Sequence, residues 1–451
     1  MNMKKKYMKK STPTVFRTLV ILTLFSSTLM GQSYFNMLMI DQLNSNHSKD
    51  LALSGSNTAE YSSPFNTFNN PANQGQFKGI RISAGVTAVS LNENRSYPAI
   101  DQFGDRVTDN IYVISRGLQT GFSGGLTWGT GKIGISLASM PYLTPAFFFQ
   151  EEIRGSLYPP NLNRDPLIGY HHIEQSGVIQ GTGASVASSF GSLSVGGGYR
   201  LLHGVSLESQ FGVSVLNDAD TAALASGTTF LKTESWKLDN SPLVMNLGVY
   251  KDLGMHWRVS ASYQSGFTLE SKRQGAIPMF DSTMAYPVIA WNADTLTLST
   301  DIPGKLEFGF RLRPSNPLPT SVFVSIAYQD WSSYSLTYAD SLSDGSRSFS
   351  YPMQETFTIS GGVEHWISEH VPFRAGFSWV ESPLADKLAQ SRFSAGSGWV
   401  SGPFQFDIAV QLSSIQYTFT DIFIPTGLTP NSFENVNETK TNYSLSVSYS
   451  L

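Results

Sequence analysis

The chain has 451 residues, of which 41% are hydrophobic, 12% aromatic and 14% charged, with no cysteine. Soluble domains usually carry roughly 25% charged residues, so this chain is low in charge, and its many aromatics argue against a disordered chain, which combines high charge with few aromatics. A net charge of −4 is too even for a nucleic-acid binder. The absence of cysteine excludes a disulfide scaffold, a thiolate metal site and a cysteine nucleophile. Length alone allows two or three domains, so the pattern along the chain has to decide.

The N-terminus reads as an address. Lys4, Lys5, Lys6, Lys9, Lys10 and Arg17 precede a short apolar run at 18–30, followed by Gly31-Gln32. This is the three-part layout of a secretory signal peptide over residues 1–31. The apolar run is shorter than the roughly 20 residues a spanning helix needs. Residues 32–78 come next. Tyr34, Phe35, Met37, Leu38, Met39 and Ile40 call for burial, yet the segment is too short and too rich in Asn, Ser and Gly for a domain. Its economical place is inside a barrel, as a plug or hatch.

Beyond residue 78 the pattern is alternation. Trp257, Val259, Ala261 and Tyr263 alternate with Arg258, Ser260, Ser262 and Gln264. Phe404, Phe406, Ile408, Val410 and Leu412 alternate with Gln405, Asp407, Ala409 and Gln411. At the C-terminus Tyr443, Leu445, Val447, Tyr449 and Leu451 alternate with four serines. Period two places each set on one face of a strand. The expected strands, in chain order, are 79–91, 111–128, 132–150, 171–189, 192–211, 229–251, 256–272, 303–313, 319–338, 354–367, 371–380, 391–400, 403–418 and 441–451. Many are longer than soluble strands, which cluster near 5–6 residues. The connections between them alternate long and short. An even number of strands with short turns on one side and longer loops on the other describes an outer-membrane barrel. The expected fold is therefore all-β: a transmembrane antiparallel β-barrel of about fourteen strands over 79–451, with the plug in its lumen.

The residues also carry a resemblance. Asn70-Pro71-Ala72 stands just before the first strand, after a small-residue stretch holding Ala52, Gly55 and Ala59. Tyr263-Gln264-Ser265, Ile302-Pro303, Phe308-Gly309-Phe310, Asp330-Trp331-Ser332-Ser333-Tyr334, Phe373-Arg374-Ala375-Gly376-Phe377 and Ser382-Pro383 follow in order. In this series the chain resembles the FadL/TodX (OMPP1) family of outer-membrane transporters for long-chain fatty acids and other hydrophobic compounds. The resemblance implies a monomeric barrel in the cell outer membrane of a Gram-negative bacterium, passing apolar molecules by diffusion past a hatch. It implies hatch or gating roles for Asn70, Pro71 and Ala72, with Phe65 and Phe68 beside them. No Ser-His-carboxylate constellation stands out and the even charge leaves no nucleic-acid partner, so no catalysis and no cofactor are expected; the partners the resemblance implies are a hydrophobic small molecule and outer-membrane lipid.

Apolar loop segments are the candidate ligand collectors: Phe147, Phe148 and Phe149; Met279, Phe280 and Trp291; and Phe423. The alternative is that these belong to the aromatic belt at the membrane interface. Arg258, Lys305, Arg311, Arg313 and Arg374 lie on polar faces and are expected to pair with lumen carboxylates rather than to bind a head group. His171-His172 point to opposite faces of a strand, so they cannot share a metal. Gly196-Gly197-Gly198 is expected to mark a bend. Trp331 is assigned a structural role. A scaffold or shuttle for secreted proteins, built on the same barrel, is the rival to a lipid channel.

Overall fold

In a computed structural model of the chain, the described residues are 47–56, 58–59, 63–100, 103, 105–143, 147–154, 167–204, 207–215, 231–274, 296–340, 346–349, 353–385, 387–420 and 433–451. The expected signal peptide and the start of the plug lie outside them.

The strands in chain order are β1 (Lys78–Ile100), β2 (Arg106–Thr130), β3 (Ile133–Leu143), β4 (Phe147–Arg154), β5 (Leu167–Ser176), β6 (Ile179–Phe190), β7 (Leu193–Gly204) and β8 (Leu207–Val215). They continue with β9 (Leu231–Leu238), β10 (Leu243–Leu253), β11 (Trp257–Gln264), β12 (Phe267–Gln274), β13 (Leu296–Ile302), β14 (Lys305–Leu312), β15 (Thr320–Asp330) and β16 (Ser335–Asp340). The last are β17 (Ser346–Phe349), β18 (Glu355–Trp366), β19 (Pro372–Glu381), β20 (Ala389–Ser401), β21 (Phe404–Thr420) and β22 (Phe433–Ser450). Fourteen of them close a barrel in the order β1-β2-β3-β6-β7-β10-β11-β14-β15-β18-β19-β20-β21-β22, and β22 pairs back on β1 from Arg81↔Ser450 to Ser96↔Asn435. Closure leaves no unpaired edge in lipid.

The faces are inverted relative to a soluble protein. Ile82, Phe122, Leu137, Leu247, Phe308, Ile326, Phe377, Ile408 and Leu445 are exposed on the outside. Ser83, Ser136, Ser260, Ser262, Ser360, Ser394 and Ser446 are buried inside. In β11 the alternation resolves as expected, with Trp257, Val259 and Tyr263 outward and Arg258, Ser260, Ser262 and Gln264 inward. Only an apolar solvent makes that exchange favourable, because each outward Leu or Phe would lose burial energy in water.

Two expectations change. Six walls expected as single strands, 132–150, 171–189, 192–211, 229–251, 256–272 and 319–338, are interrupted. β3, β6, β7, β10, β11, β14, β15 and β18 each continue, after a short break, into a second sheet ordered β17-β16-β13-β12-β9-β8-β5-β4. The breaks carry Gly177, Pro242, Gly266 and Pro303-Gly304, residues that weaken or stop a ladder. Strand also extends into segments expected as loops, at Asn92–Ile100, Leu296–Ile302 and Phe433–Lys440.

The second change concerns Gly196-Gly197-Gly198. The rungs of β7 with β6 and β10 run through all three without a register shift, so no bulge interrupts the strand there. Gly196 faces the plug. A methyl built on it would lie 2.6 Å from the Ala72 amide nitrogen and 2.7 Å from the Pro71 carbonyl carbon. Gly376 meets the Leu53 and Ser54 backbone in the same way, Gly309 meets Thr58 Cβ and the Ala59 nitrogen, and Gly396 meets the Ala52 methyl. These glycines let plug backbone lie directly on the wall.

A sealed floor and an apolar collar as the candidate transport site

The plug builds the floor of the lumen. Helix α1 (Ser48–Ala52) begins at His47, whose Nδ1 accepts from the Lys49 amide at 3.4 Å. Ser63 caps a 3-10 turn at Pro64–Thr67, and Asn70 caps a second at Pro71–Gln74. Proline disfavours a helical residue before it, and Asn70 is extended at φ −129°, ψ 96°. That geometry frees the Asn70 side chain. Its Oδ1 accepts from the Ala72 amide at 3.1 Å, and its Nδ2 donates to the Thr58 carbonyl at 3.0 Å. Asn73 Nδ2 donates to the same carbonyl at 2.9 Å. The Asn-Pro-Ala motif is thus the knot of the plug.

Polar contacts weld the floor to the wall. Ser48 bonds Ser444 at 3.0 Å, Ser54 bonds Ser394 at 2.6 Å and Thr67 bonds Ser185 at 3.0 Å. Thr58 donates to Glu307. Phe65 and Phe68 are buried against Ala138 and Met140 of β3. Lys49 pairs with Glu364 at 3.1 Å, and Arg374 holds Glu364 at 2.6 Å and Asp407 at 2.7 Å. Arg258 pairs with Asp252 at 2.6 Å, and Lys305 with Glu307 at 3.3 Å. These cations meet lumen carboxylates, as expected.

Above the floor the lumen lining turns apolar, at the level of the breaks. Leu143 ends β3, Ile179 starts β6, and Leu202 lies near the end of β7. Val244, Phe267 and Ile302 stand at the corresponding positions on β10, β12 and β13. Tyr142, Trp331, Tyr334 and Met353 complete one buried cluster. Trp331 sits in a 3-10 turn between β15 and β16, its ring 6.1 Å from that of Tyr334. The sequence placed apolar ligand contacts in loops; this collar lies in the wall.

One cation sits between floor and collar, and the sequence did not single it out. Arg200 on β7 is only 2% exposed. Its guanidinium lies 4.4 Å from the Phe68 ring centroid and 4.3 Å from that of Tyr142. Its Nη2 donates to the Phe68 carbonyl at 3.1 Å, while Nε and Nη1 have no hydrogen-bond partner. No carboxylate pairs with it among the described residues. A buried charge without a counter-ion costs several kcal/mol by general experience, and two aromatic faces offset only part of that.

The wall is weakest beside the same spot. The β2–β3 ladder stops at Gly124↔Ser139, although β2 runs on to Arg106. Pro141 lacks the donor needed to continue it, and the β3–β6 register shifts between Pro141 and Leu143. Higher up, Phe149 is fully buried with its ring 4.8 Å from the Arg95 guanidinium. Arg95 in turn pairs with Glu93 at 2.6 Å and Glu434 at 3.2 Å.

The structure therefore brings Asn70, Pro71, Ala72, Phe65 and Phe68 together in the floor. It places Phe149 against Arg95, outside the collar cluster. Phe147 and Phe148 lie on β4, with side chains outside the described residues. Met279, Phe280, Trp291 and Phe423 lie wholly outside them.

A lipid-faced, fourteen-stranded barrel closed by an internal plug is an outer-membrane protein. The family described as outer membrane protein transport protein (OMPP1/FadL/TodX) matches residues 189–409. That match and the fold liken the chain to the FadL/TodX-type outer-membrane transport proteins. A solved FadL homologue of Pseudomonas aeruginosa shares the fold at TM-score 0.63 and 14% identity, over 94% of this chain and 99% of that one. The Pseudomonas putida toluene transporter TodX aligns at TM-score 0.59 and 11% identity, over 91% and 99%. The Ralstonia pickettii toluene transporter TbuX aligns at 0.55 and 15%, over 91% and 99%. No curated protein matches the sequence.

Proposed function

We propose that this chain carries hydrophobic small molecules with an acidic head, long-chain fatty acids foremost, across the outer membrane. The observation that carries the reading is Arg200, a buried guanidinium with two unpartnered nitrogens at the foot of an apolar collar. A carboxylate there gains charge-assisted hydrogen bonds, and its chain gains about 25 cal/mol for each Å² buried in the collar. Asn70, Pro71, Ala72, Phe65 and Phe68 act as the hatch that denies a straight aqueous path. The break beside Pro141 offers a sideways route from collar to lipid that leaves this hatch in place. The protein works as a monomer after loss of residues 1–31.

A second reading has its own support. The collar is rich in aromatic rings (Tyr142, Phe267, Trp331, Tyr334), and two structural neighbours are toluene transporters. Neutral aromatic hydrocarbons would then be the cargo, and Arg200 would be structural. Uptake of labelled palmitate and of toluene, in cells lacking their own transporter, separates the two. On the acid reading the intact chain restores palmitate uptake and Arg200→Met lowers it at least tenfold. Restoration of toluene uptake alone, or palmitate uptake indifferent to Arg200→Met, would overturn it.

A further inference from the structure

The lipid-facing side of the barrel carries a polar row where its neighbours are apolar. Ser139 on β3, Thr182 and Gln180 on β6, and His203 on β7 all share the outward parity of Leu137, Val186 and Leu201. They are joined side by side. Ser139 and Thr182 hydroxyls lie 2.8 Å apart, Gln180 Nε2 donates to Ser139 at 3.1 Å, and Thr182 Oγ1 lies 2.9 Å from His203 Nε2.

The heights of these residues set the row apart from an ordinary interface girdle. A strand rising about 3.3 Å per residue and tilted about 40° climbs roughly 2.5 Å per residue. Ser139 is six residues above the periplasmic end of β3 at Ile133 (139 − 133). That places it about 15 Å up an apolar band about 25 Å tall. Thr182 is eight residues from Phe190 (190 − 182), and His203 ten from Leu193 (203 − 193). They stand at about 20 Å and about 25 Å on the same scale. The row is thus a ramp from mid-band to the outer interface. Across the gap, β2 presents exposed Phe122 and Leu118, with Thr120 between them on the same face. The foot of the ramp, Ser139, is the last rung of the β2–β3 ladder.

Polar groups in lipid are unfavourable even when they bond one another, and an apolar row would be cheaper. Each hydroxyl here still has a lone pair or proton to offer. We infer that this row is an exit track for the polar head of a departing amphiphile, whose acyl chain lies on Phe122 and Leu118. The inference rests on the acidic-cargo reading above. The head passes from Arg200 inside to Ser139 outside, then climbs by Thr182 to His203, exchanging hydrogen bonds at each step.

The test is the ratio of palmitate to toluene uptake in cells expressing the full chain. A triple variant, Ser139→Ala with Thr182→Val and His203→Leu, is expected to lower this ratio about five- to tenfold, the loss of one to two hydrogen bonds. Thr182→Ser alone, which keeps the hydroxyl, is expected to retain the intact ratio. An unchanged ratio in the triple variant overturns the track. An equal fall for both compounds does so too, since it would mean a seat for resident lipid or a damaged wall. If the intact chain carries no palmitate, the reading beneath fails first. If palmitate uptake depends on Arg200 but not on the row, only the track fails.

Discussion

Gly196→Ala should unseat the plug while leaving the barrel folded. The added methyl would stand 2.6 Å from the Ala72 nitrogen, and ordinary contact begins at 3.4 Å, so the Pro71–Gln74 turn must retreat by 0.8 Å (3.4 − 2.6). All three atoms it meets, Ala72 N, Pro71 C and Ala72 Cα, are backbone, so no side chain can swing aside. Retreat breaks the 3.4 Å bond from Asn70 Nδ2 to the Val249 carbonyl and loosens the packing of Ala72, now fully buried. Overpacking costs about 1–3 kcal/mol and the lost hydrogen bond about 1 kcal/mol. The sum of about 2–4 kcal/mol corresponds to a rise of roughly thirty- to several-hundredfold in the undocked population, at tenfold per 1.4 kcal/mol. Gly197→Ala is the matched control. It is the next residue on the same strand, it points outward, and its methyl meets only Leu247 Cδ2 at 3.5 Å. The assay is hydrogen exchange at the Asn73, Gly75 and Phe77 amides, which bond to Asn70, Ala72 and Gln74 carbonyls within the plug. Heat-dependent gel mobility verifies the folded barrel. Exchange that rises equally in both variants, or in neither, would refute the idea that these glycines exist to seat the plug.

Three further outcomes follow from the same geometry. Arg374→Met strands Glu364 and Asp407, both buried. Breaking such a group costs about 3–5 kcal/mol, offset in part by Lys49, so the urea midpoint of barrel unfolding should fall; an unchanged midpoint would count against it. Burial holds the His47 pKa below its usual 6.5, with Asp50 and Asp407 opposing and Arg374 and Lys49 reinforcing the shift. The unfolded plug then binds the extra proton, so His47 contributes full stability above about pH 6.5 and loses it as pH falls toward the lower folded value. Amide protection factors in 48–56, corrected for the intrinsic pH dependence of exchange, should therefore fall between pH 7 and pH 5, and His47→Asn, which keeps a capping acceptor, should flatten that dependence. Pro141→Val restores a backbone donor at the β2–β3 break; severalfold slower uptake with unchanged ligand affinity is expected, and equal uptake would argue that cargo does not leave there.

Most of the wall was legible because a barrel in lipid has a simple code. Outward residues must be apolar along every strand, so Tyr443, Leu445 and Val447 against Ser444, Ser446 and Ser448 declare both faces at once. The knot at Asn70-Pro71-Ala72 was legible because proline fixes the residue before it and asparagine is the side chain that can then cap the turn. The collar was not. Its residues (Val244, Phe267, Ile302) keep the strand parity but reverse the polarity of the inner face, and periodicity cannot tell an apolar inner position from a change of register. The turn residues Gly266 and Pro303-Gly304 were the available signal that each wall is broken there. Arg200 was hidden because a charge on an inner face reads like its paired counterparts Arg258 and Arg374. Whether a carboxylate stands opposite depends on strands far away in sequence.

The two levels of the lumen impose opposite conditions on anything that crosses. At the floor, Phe65 and Phe68 already pack on Ala138 and Met140 beneath hydroxyls and ion pairs, and displacing the plug breaks several buried hydrogen bonds at once. In the collar the same molecule replaces contacts among Phe267, Trp331 and Met353 with contacts of its own, and no polar group is stripped of a partner. An acyl chain therefore has a gradient toward the collar and a barrier beneath it. On the proposed route, the interrupted β2–β3 ladder beside Pro141 is the exit at the top of that barrier. On these energetics a plug that never moves is compatible with the proposed transport of apolar cargo, because its seat on Gly196, Gly309, Gly376 and Gly396 lies beneath the collar and off the sideways route.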